Sequence, residues 1–469
     1  MKKIPLHWQI LIALVLAIIF GLIFKTNYKL DSMTSESFKT EVESDVLDGL
    51  KSIENQSYPT QQAYRQAIVG ITGEQTFKKN QSLFIKAAYH NPAVEAIHWI
   101  GEIFLKALRM IIIPLVMSSL ISGVVSIGSG TNLGRLGFKT MFYYITTSLL
   151  AIITGLFFVN LIRPGVGADL NFSEVVDGLE VSQSSFKSIL LDIVPSNIFK
   201  ALTDSNMLAI IFFSLLFGYF ITKVAEKYRK ALEKAFNAIF EVIMKMTEFI
   251  ILFTPLGVFA LVAKVVADQD DLISLASRLG LYMLVVLLGL FIHFFISLPL
   301  IVRYLGKANP YKHLKNMATP LLTAFSTSSS AAAMPLTMDA VENKSGVSQK
   351  ITNFTIPLGT TVNMDGTALY ECVAVIFIAQ AYGIDLSIGQ QMIVILTSLL
   401  ASIGAAAVPM AGLVMMTIIL SAVGLPMEGI GLILAVDRIL DMFRTSTNVW
   451  SDTCGAVVIA KSEGEKLQI

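Results

Sequence analysis

An apolar stretch near the C-terminus, roughly Gly431 to Ala460, is long enough to cross a bilayer yet carries several charged side chains. With about 100° of rotation per residue, its polar residues fall within a stripe roughly 80° wide on one helical face. They are Asp437, Asp441, Arg444, Asn448 and Asp452. Each Asp or Arg at mid-membrane costs about 2.5–3.5 kcal/mol, so the four charges oppose insertion by roughly 10 kcal/mol unless they meet partners or water. The stripe must therefore face a polar site.

An interhelical ion-pair network that only holds a helical bundle together is the alternative interpretation of this stripe. Snorkelling to the surface accounts for one charge near a helix end but not for four along its length. Because ionisable residues inside a membrane are by default candidates for functional sites, the stripe favours a binding site.

The composition identifies a polytopic membrane protein. Of its 469 residues, 54% are hydrophobic and only 15% are charged, well below the roughly 25% typical of soluble proteins, and the mean hydropathy is +0.68. A net charge of +1, without a basic patch interleaved with aromatic residues, gives no support for nucleic-acid binding. Both cysteines lie in apolar segments, so neither a disulfide framework nor a cysteine metal site is expected.

The apolar runs predict an all-α fold with eight membrane-spanning helices. These runs lie near residues 7–25, 99–126, 138–162, 188–222, 235–265, 277–304, 352–381 and 428–460. Lysine and arginine concentrate in alternate loops, which predicts that those loops, and both termini, are cytoplasmic. We therefore expect a multi-pass protein of the cell membrane, and specifically of a bacterial inner membrane.

Two further apolar segments are interrupted by small polar residues, glycine and proline. The first runs from Thr323 to Pro335 and the second from Ser402 to Gly412, and each precedes a full span. A re-entrant hairpin followed by a span, occurring twice from opposite sides, is the pattern of an inverted-topology repeat. Irregular backbone at membrane depth must line an enclosed or watery cavity, so both hairpin tips should converge on one site.

A polar excursion from about 26 to 91 separates the first two spans and should lie outside the cell. Its composition predicts a solvated, partly ordered segment with a short amphipathic helix or two.

The penultimate span contains the polar run Asn363-Met364-Asp365-Gly366-Thr367. A local break of the helix here would free backbone carbonyls next to amide and carboxylate oxygens. Such an all-oxygen environment suits a small hard cation, and sodium is the natural candidate in a transporter. A kink stabilised by local hydrogen bonds is the alternative, which the position at mid-membrane disfavours.

Arg444 provides a planar fork that fits a carboxylate through two parallel hydrogen bonds. Asp441, one turn earlier, can bind an ammonium group, while Asn448 and donors near Ser330 can bind the main-chain carboxylate. This combination describes aspartate or glutamate as the ligand. Asp452 lacks a nearby cation on its face and can bind a coupling ion.

Taken together, these motifs resemble the dicarboxylate and amino-acid:cation symporters, which include bacterial and archaeal glutamate/aspartate transporters and the animal excitatory amino acid transporters. The matching elements are the serine-rich first hairpin, the run from Asn363 to Thr367, Val408-Pro409 in the second hairpin, and the stripe from Asp441 to Asp452. The resemblance covers most of the chain outside the excursion. It implies a homotrimer in which each protomer moves its own transport domain as an elevator.

The resemblance also implies the site residues. The substrate would contact Ser328, Ser330, Thr367, Val408, Gly412, Asp441, Arg444, Thr445 and Asn448. One sodium site would use Gly359, Asn363, Asn448 and Asp452. A second would use Thr361, Met364, Ser402, Ile403 and Ala405, and a third Tyr144, Thr147, Ser148, Asn363 and Asp365.

Glu371 and Ser328 match the animal members of this family rather than the archaeal ones. In the animal pattern the glutamate carries a proton and is tied to potassium counter-transport; a structural ion pair is the alternative role. The implied domains are two scaffold spans with the excursion (1–126), a transport-domain span (127–165), scaffold and trimerisation spans (166–265), the transport core (266–461) and a cytoplasmic tail (462–469).

Three other functions compete with uptake of acidic amino acids. Within transport, the rival is a sodium- or proton-coupled carrier of cystine or neutral amino acids. An intramembrane aspartyl protease would need a Gly-x-Gly-Asp element on a second helix, which is absent from the sequence. A pure anion channel would need a continuous basic pore rather than one arginine among three aspartates. We therefore expect a transporter and no enzyme, with sodium as coupling ion and no cofactor.

Overall fold

The structure, a computed structural model, describes residues 6–25, 28–30, 50–79, 84, 91–128, 133–168, 194–204, 206–268, 272–404 and 411–469. These residues are helical almost throughout. In chain order the elements are α1 (Leu6–Ile23), β1 (Tyr28–Lys29), β2 (Ser57–Tyr58), α2 (Gln61–Thr72), α3 (Glu74–Lys79), α4 (Pro92–Gly128), α5 (Leu133–Ile162), α6 (Ile198–Thr203), α7 (Met207–Ile221), α8 (Glu226–Ile251), α9 (Thr254–Asp268), α10 (Leu272–Ile292), a π-helical segment (His293–Ser297), α11 (Leu298–Tyr304), α12 (Pro310–Asn316), α13 (Ala318–Thr327), α14 (Ser330–Asn343), α15 (Gln349–Val362), α16 (Asp365–Ala381), α17 (Ile388–Gly404), α18 (Ala411–Ala422), a 3₁₀ turn (Met427–Gly429) and α19 (Ile430–Ser462).

The chain forms two compact units. The first comprises residues 1–105, 167–182 and 252–277, and the second comprises 106–166, 183–251 and 278–469.

In the first unit, α1 packs closely along α9. A Cβ atom at Gly21 would lie 2.7 Å from the carbonyl oxygen of Ala263, so only glycine permits this approach of the two helices. The rings of Phe20 and Phe259 pack edge to face at 5.6 Å beside it.

The polar excursion of the first unit has a small core of its own. Its buried side chains are Tyr28, Leu30, Leu50, Ile53, Tyr64, Ile68, Phe77 and Phe84. The sequence predicts one or two short helices there, and the described residues form α2 and α3. The expectation of a solvated excursion is wrong for the described residues, because the scattered aromatic residues meet across the β1–β2 pair and α2 rather than facing solvent.

Four helical segments of the described chain are long and apolar enough to cross a membrane by length and composition: 92–125, 135–162, 272–304 and 349–381. A fifth is obtained if α8 and α9 count as one broken span. Sequence patterning predicts a continuous helix over 235–265. Instead α8 ends at Ile251 and α9 begins at Thr254, with Pro255 at a position where it opens a helix without losing a hydrogen bond.

The second unit contains the helix break expected in the penultimate span. The segment 349–381 is interrupted between α15 and α16, where Asn363 (φ −104°, ψ 83°) and Met364 (φ −114°, ψ 62°) leave helical geometry. The backbone N–H of Asn363 still donates to the carbonyl of Gly359 at 2.8 Å. Every residue of α16 is buried, which identifies it as the central helix of this unit.

The two predicted hairpins are helix pairs in the second unit. The first hairpin consists of α13 and α14, and both helices pack against α19. Its turn is made by Ser328 in the left-handed conformation (φ 51°) and by Ser329, whose hydroxyl caps α14. The second hairpin consists of α17 and α18, which pack against each other, while its tip at 405–410 lies outside the described residues.

The tail folds back over one end of the second unit. Glu463 forms salt bridges with Arg135 at 2.5 Å and Lys139 at 2.6 Å. Glu465 accepts hydrogen bonds from the backbone N–H and hydroxyl of Ser348, the residue that precedes α15. The tail therefore connects the start of α5 to the loop that leaves the first hairpin.

Candidate functional site

The carboxylate of Asp365, the first residue of α16, lies at the centre of a buried polar cluster. Its Oδ1 accepts hydrogen bonds from the hydroxyls of Ser148 (2.6 Å) and Thr147 (3.3 Å) on α5. Its Oδ2 accepts one from Ser451 on α19 (2.6 Å) and lies 3.0 Å from Nε2 of His293 in the π-helical segment. Residues from three segments of the chain thus fix the orientation of one carboxylate on a fourth.

Asn363, in the helix break, links this cluster to the charged stripe of α19. Its Nδ2 donates to Oδ1 of Asp452 at 2.9 Å and to the hydroxyl of Ser451 at 3.0 Å, and its Oδ1 accepts from Thr147 at 3.4 Å. Asn363 and Asp452 are both almost completely buried. The cluster therefore concentrates carboxylate, amide and hydroxyl oxygens away from solvent, the donor set that a small hard cation prefers.

Gly359 on α15 allows Asp452 and Tyr144 to approach the backbone. A Cβ atom there would collide with the Asp452 carboxylate and would lie 2.7 Å from the Tyr144 hydroxyl. That hydroxyl donates to the carbonyl of Thr355 at 2.7 Å. The structure thus brings the residues of the predicted third sodium set together around Asn363 and Asp365, and it places Gly359 of the predicted first set against Asp452.

The predicted second sodium set has Thr361 on α15 and Ser402 and Ile403 on α17, and these two helices pack against each other. Thr361 and Ser402 each donate their hydroxyl to a carbonyl of their own helix, at 3.0 and 2.8 Å. Met364 is buried in the break and Ile403 is half-buried on α17, while Ala405 lies outside the described residues.

Arg444 is fully buried and is held by two aspartates of its own helix. Its Nε donates to Oδ1 of Asp441 at 2.9 Å and its Nη1 donates to Oδ1 of Asp437 at 3.0 Å. Thr445 lies beside them, with its hydroxyl 3.4 Å from the same Asp441 oxygen. Nη2 lies 2.9 Å from the same Asp441 oxygen as part of this ion pair but, within the described part of the chain, makes no hydrogen bond, and the second oxygen of Asp437 also lacks a hydrogen-bond partner. The fork therefore keeps one donor direction for a further acceptor.

Tyr370 and Glu371, consecutive residues of α16, lie near the guanidinium group of Arg444. The guanidinium carbon of Arg444 lies 4.2 Å from the centre of the Tyr370 ring, a cation–π contact. Glu371 is completely buried, and among the described residues neither of its carboxylate oxygens has a hydrogen-bond partner. Within the described ranges, Glu371 therefore forms no salt bridge of the kind that its alternative role, a structural ion pair, would use.

Asn448 joins α19 to the start of α16. Its Oδ1 accepts from the backbone N–H of Gly366 at 2.7 Å, and its Nδ2 donates to the Thr367 hydroxyl at 3.1 Å. A Cβ atom at Gly412 would lie 3.1 Å from Nη1 of Arg444, which places this glycine of the second hairpin directly against the guanidinium group.

The first hairpin contributes two buried serines. Ser328 and Ser330 flank the turn, and the Ser328 hydroxyl has no hydrogen-bond partner among the described residues. The hairpin is fixed to α19 by the edge-to-face pair Phe325–Phe443 at 5.0 Å. Val408, predicted as a substrate contact, lies outside the described residues.

A model of the sodium:dicarboxylate symporter family matches residues 6–462. The chain belongs to this family. Its members are transporters rather than enzymes, as the sequence predicted.

Curated relatives from animals and bacteria agree with this assignment. Excitatory amino acid transporter 3 of Mus musculus is 37% identical over 420 aligned residues, which cover 78% of this chain and 79% of the relative. The excitatory amino acid transporter of Caenorhabditis elegans is 37% identical over 404 residues, covering 76% and 80%. The proton/sodium-glutamate symport protein of Bacillus caldotenax is 38% identical over 387 residues, covering 80% and 90%.

Sequence reasoning missed three polar partners in this symporter. His293 could have been noticed as an ionisable residue inside the apolar span 277–304. Ser451 lies about 20° beyond the edge of the stripe on α19 and is polar but uncharged. Asp437 was recognised as part of the stripe, but its salt bridge with Arg444 was not predicted. The two residues are seven positions and two helical turns apart, so their contact depends on the rotamers of both side chains.

Proposed function

We propose that this protein is a secondary active symporter that takes up L-glutamate or L-aspartate together with sodium. Membership of the sodium:dicarboxylate symporter family supports this function, as do relatives whose names describe excitatory amino acid transport and proton/sodium-glutamate symport. The observation that carries the proposal is the buried fork of Arg444 between Asp437 and Asp441, because a single guanidinium beside two acidic groups suits a zwitterion with one extra carboxylate.

The substrate occupies the space between the hairpin tips and α19 in this proposal. Arg444 binds the side-chain carboxylate and Asp441 the ammonium group. Asn448, Thr367 and donors near Ser330 bind the main-chain carboxylate. The remaining contacts are Ser328, Val408, Gly412 and Thr445.

The coupling ions bind where the helix break supplies oxygens. One sodium ion uses Gly359, Asn363, Asn448 and Asp452, and another uses Tyr144, Thr147, Ser148, Asn363 and Asp365. A further sodium ion uses the predicted second set, Thr361, Met364, Ser402, Ile403 and Ala405. Direct contacts of Asn363, Asp365 and Asp452 with their neighbours support the predicted first and third sets most strongly.

In this proposal Glu371 carries a proton during uptake. The transporter then returns with Glu371 deprotonated, and this return is coupled to potassium counter-transport. Glu371 is completely buried near Arg444, and its carboxylate has no hydrogen-bond partner in the described chain. These features support a role in which the carboxylate changes its protonation state during the transport cycle.

The protein further assembles as a homotrimer in the cell membrane, a bacterial inner membrane, with both termini in the cytoplasm. Residues 127–165 and 266–461 form the transport domain, which moves as an elevator. Residues 1–126 and 166–265 form the scaffold and trimerisation part, and 462–469 the cytoplasmic tail.

Uptake of labelled L-aspartate into proteoliposomes under an inward sodium gradient tests the function. Choline replaces sodium in the control, and unlabelled L-glutamate, L-cystine and L-serine serve as competitors. We expect sodium-dependent uptake that glutamate abolishes. Substrate affinity that is equal in sodium and choline contradicts sodium coupling. Competition by cystine or serine instead of glutamate identifies the rival carrier of cystine or neutral amino acids.

A further inference from the structure

The outer face of the span 272–304 ends in a groove of about 420 Å³ that the transport site does not use. Its apolar wall consists of Phe295, Ile296 and Leu300, each roughly half exposed. Its far end is formed by Arg303 and Tyr311. The groove is therefore apolar along the span and polar at the tip.

The local backbone explains why a groove exists here and not on a smooth helix surface. The π-helical segment at 293–297 inserts an extra residue per turn, which displaces the side chains that follow it. After Tyr304 the chain reverses through Lys307, a residue with positive φ (46°), and α12 returns beside the end of the span. The returning segment forms the polar side of the groove, which Tyr311 lines together with Arg303.

Arg303 gives the groove its charge. Across the residues that the structure describes, its guanidinium has neither a salt bridge nor a hydrogen-bond acceptor. Among the described residues that line the groove, Arg303 and the Tyr311 phenol are the ionisable groups, so none of these lining residues supplies a carboxylate to Arg303. A guanidinium binds phosphate oxygens bidentately, and a tyrosine hydroxyl can donate to the same group.

We propose that this groove binds one anionic phospholipid, with an acyl chain against Phe295, Ile296 and Leu300 and the headgroup phosphate on Arg303 and Tyr311. An apolar wall continuous with a membrane span, ending at an uncompensated arginine, matches a lipid in both polarity and charge. A soluble anion would use only the polar end and would leave the half-exposed wall unexplained. This site is independent of the transported substrate.

A photoreactive lipid tests the proposal on the full-length protein in nanodiscs. Phosphatidylglycerol and phosphatidylcholine probes, each with a diazirine in the acyl chain, are compared at the same mole fraction, and the labelled residues are mapped by mass spectrometry. We expect the phosphatidylglycerol probe to label residues 295–300 about fivefold more than the phosphatidylcholine probe, the preference that one arginine at an anionic headgroup provides.

Variants of the protein then test whether the preference for phosphatidylglycerol depends on the groove. Arg303→Gln should reduce labelling by phosphatidylglycerol to the phosphatidylcholine level, whereas Arg303→Lys should keep most of it. Lys350→Gln removes an exposed cation that does not line the groove and should leave the preference unchanged. Size-exclusion profiles confirm that each variant is folded.

Three results would overturn the proposal. Equal labelling by both probes would mean that the groove holds ordinary bulk lipid. A phosphatidylglycerol preference that persists in Arg303→Gln would place the lipid elsewhere. Full competition by soluble glycerol phosphate would identify an anion site without an acyl chain.

Discussion

Nε2 of His293 lies 3.0 Å from Oδ2 of Asp365, and both side chains are completely buried. The same oxygen accepts the hydroxyl of Ser451, while Ser148 and Thr147 occupy the other oxygen. A carboxylate with four donors cannot rotate without breaking strong hydrogen bonds. His293 is therefore a positioning residue for the proposed sodium ligand Asp365.

Replacing His293 tests this role. His293→Ala should raise the half-saturating sodium concentration for aspartate uptake roughly tenfold or more, since a hydrogen bond to a charged group contributes about 1.5–3 kcal/mol. His293→Gln keeps an amide donor and should lie between wild type and alanine. Uptake in proteoliposomes at varied sodium measures the effect. A lower maximal rate at unchanged sodium dependence would show that His293 only supports folding.

Gly359 and Gly280 form a matched pair for testing the proposed sodium site near α15. Gly359→Ala places a methyl group against the Asp452 carboxylate and the Tyr144 hydroxyl. Overpacking of a close-packed interior costs about 1–3 kcal/mol, so we expect sodium-driven uptake to fall by roughly tenfold. Gly280→Ala, on a helix with open space at that position, should leave uptake unchanged. Equal behaviour of the two variants would contradict the proposed site.

Arg444→Cys tests the carboxylate fork. We expect the affinity for aspartate to fall by roughly 100-fold, because truncating one partner of a buried, hydrogen-bonded charge pair costs several kcal/mol. Binding of neutral amino acids can then increase, since Asp441 still recognises the ammonium group. Arg438→Cys on the same helix, whose guanidinium lies 3.7 Å from Asp441 and is partly exposed, is the control. Retained aspartate affinity in Arg444→Cys refutes the assignment.

Glu371→Gln separates proton coupling from substrate binding. The amide cannot exchange a proton, so net uptake should lose its dependence on pH and on internal potassium. Exchange of internal for external aspartate should persist, because it does not require the empty carrier to return. Counterflow and net uptake are measured in the same liposomes. Net uptake with an unaltered pH dependence counts against the proposed role.

His313, on the short helix α12 outside the candidate spans, predicts a pH dependence of stability. Burial lowers its pKa from 6.5 to about 4, because the charged ring would lose its hydration. The folded protein therefore keeps His313 neutral while the unfolded chain takes up a proton below pH 6.5. Above pH 6.5 His313 therefore does not lower the free energy of unfolding. As the pH falls from 6.5 to about 4, the free energy of unfolding declines by about 3 kcal/mol.

Thermal unfolding in detergent between pH 7 and pH 4 measures this decline. His313→Gln cannot titrate and should show a shallower loss of stability over the same range. An equally steep decline in the variant would assign the pH dependence to other groups.

Much of the fold could be predicted because membrane-length apolar segments and their interruptions can be recognised from the hydropathy of the sequence. The helix break at Asn363 and the two helix pairs at 318–343 and 388–422 lie where polar residues, glycine and proline interrupt hydrophobic runs. The core of the excursion could not be predicted, because residues as far apart as Tyr28 and Phe84 assemble it without periodicity. The break after Ile251 required the positional meaning of Pro255.

For the candidate site, one-dimensional spacing predicted which residues of α19 share a face but not which partners they meet. Asp441 and Arg444 are one turn apart, so their contact follows from helical geometry. The contact between His293 and Asp365 joins positions 72 residues apart and depends on how the π-helical segment packs against the start of α16. Such pairings arise from tertiary packing, which no local pattern encodes.

The pairing of Arg444 with Asp437 and Asp441 also has a consequence for biosynthesis. All three residues belong to α19, which is translated after α5, α15 and α16. The arginine can therefore be neutralised within its own helix before α19 docks against those earlier segments. Asp452 has no such partner on α19 and accepts its hydrogen bond from Asn363, so it is satisfied only when the helix docks against segments already in place. Insertion of α19 and completion of the proposed ion site are thus successive steps of assembly.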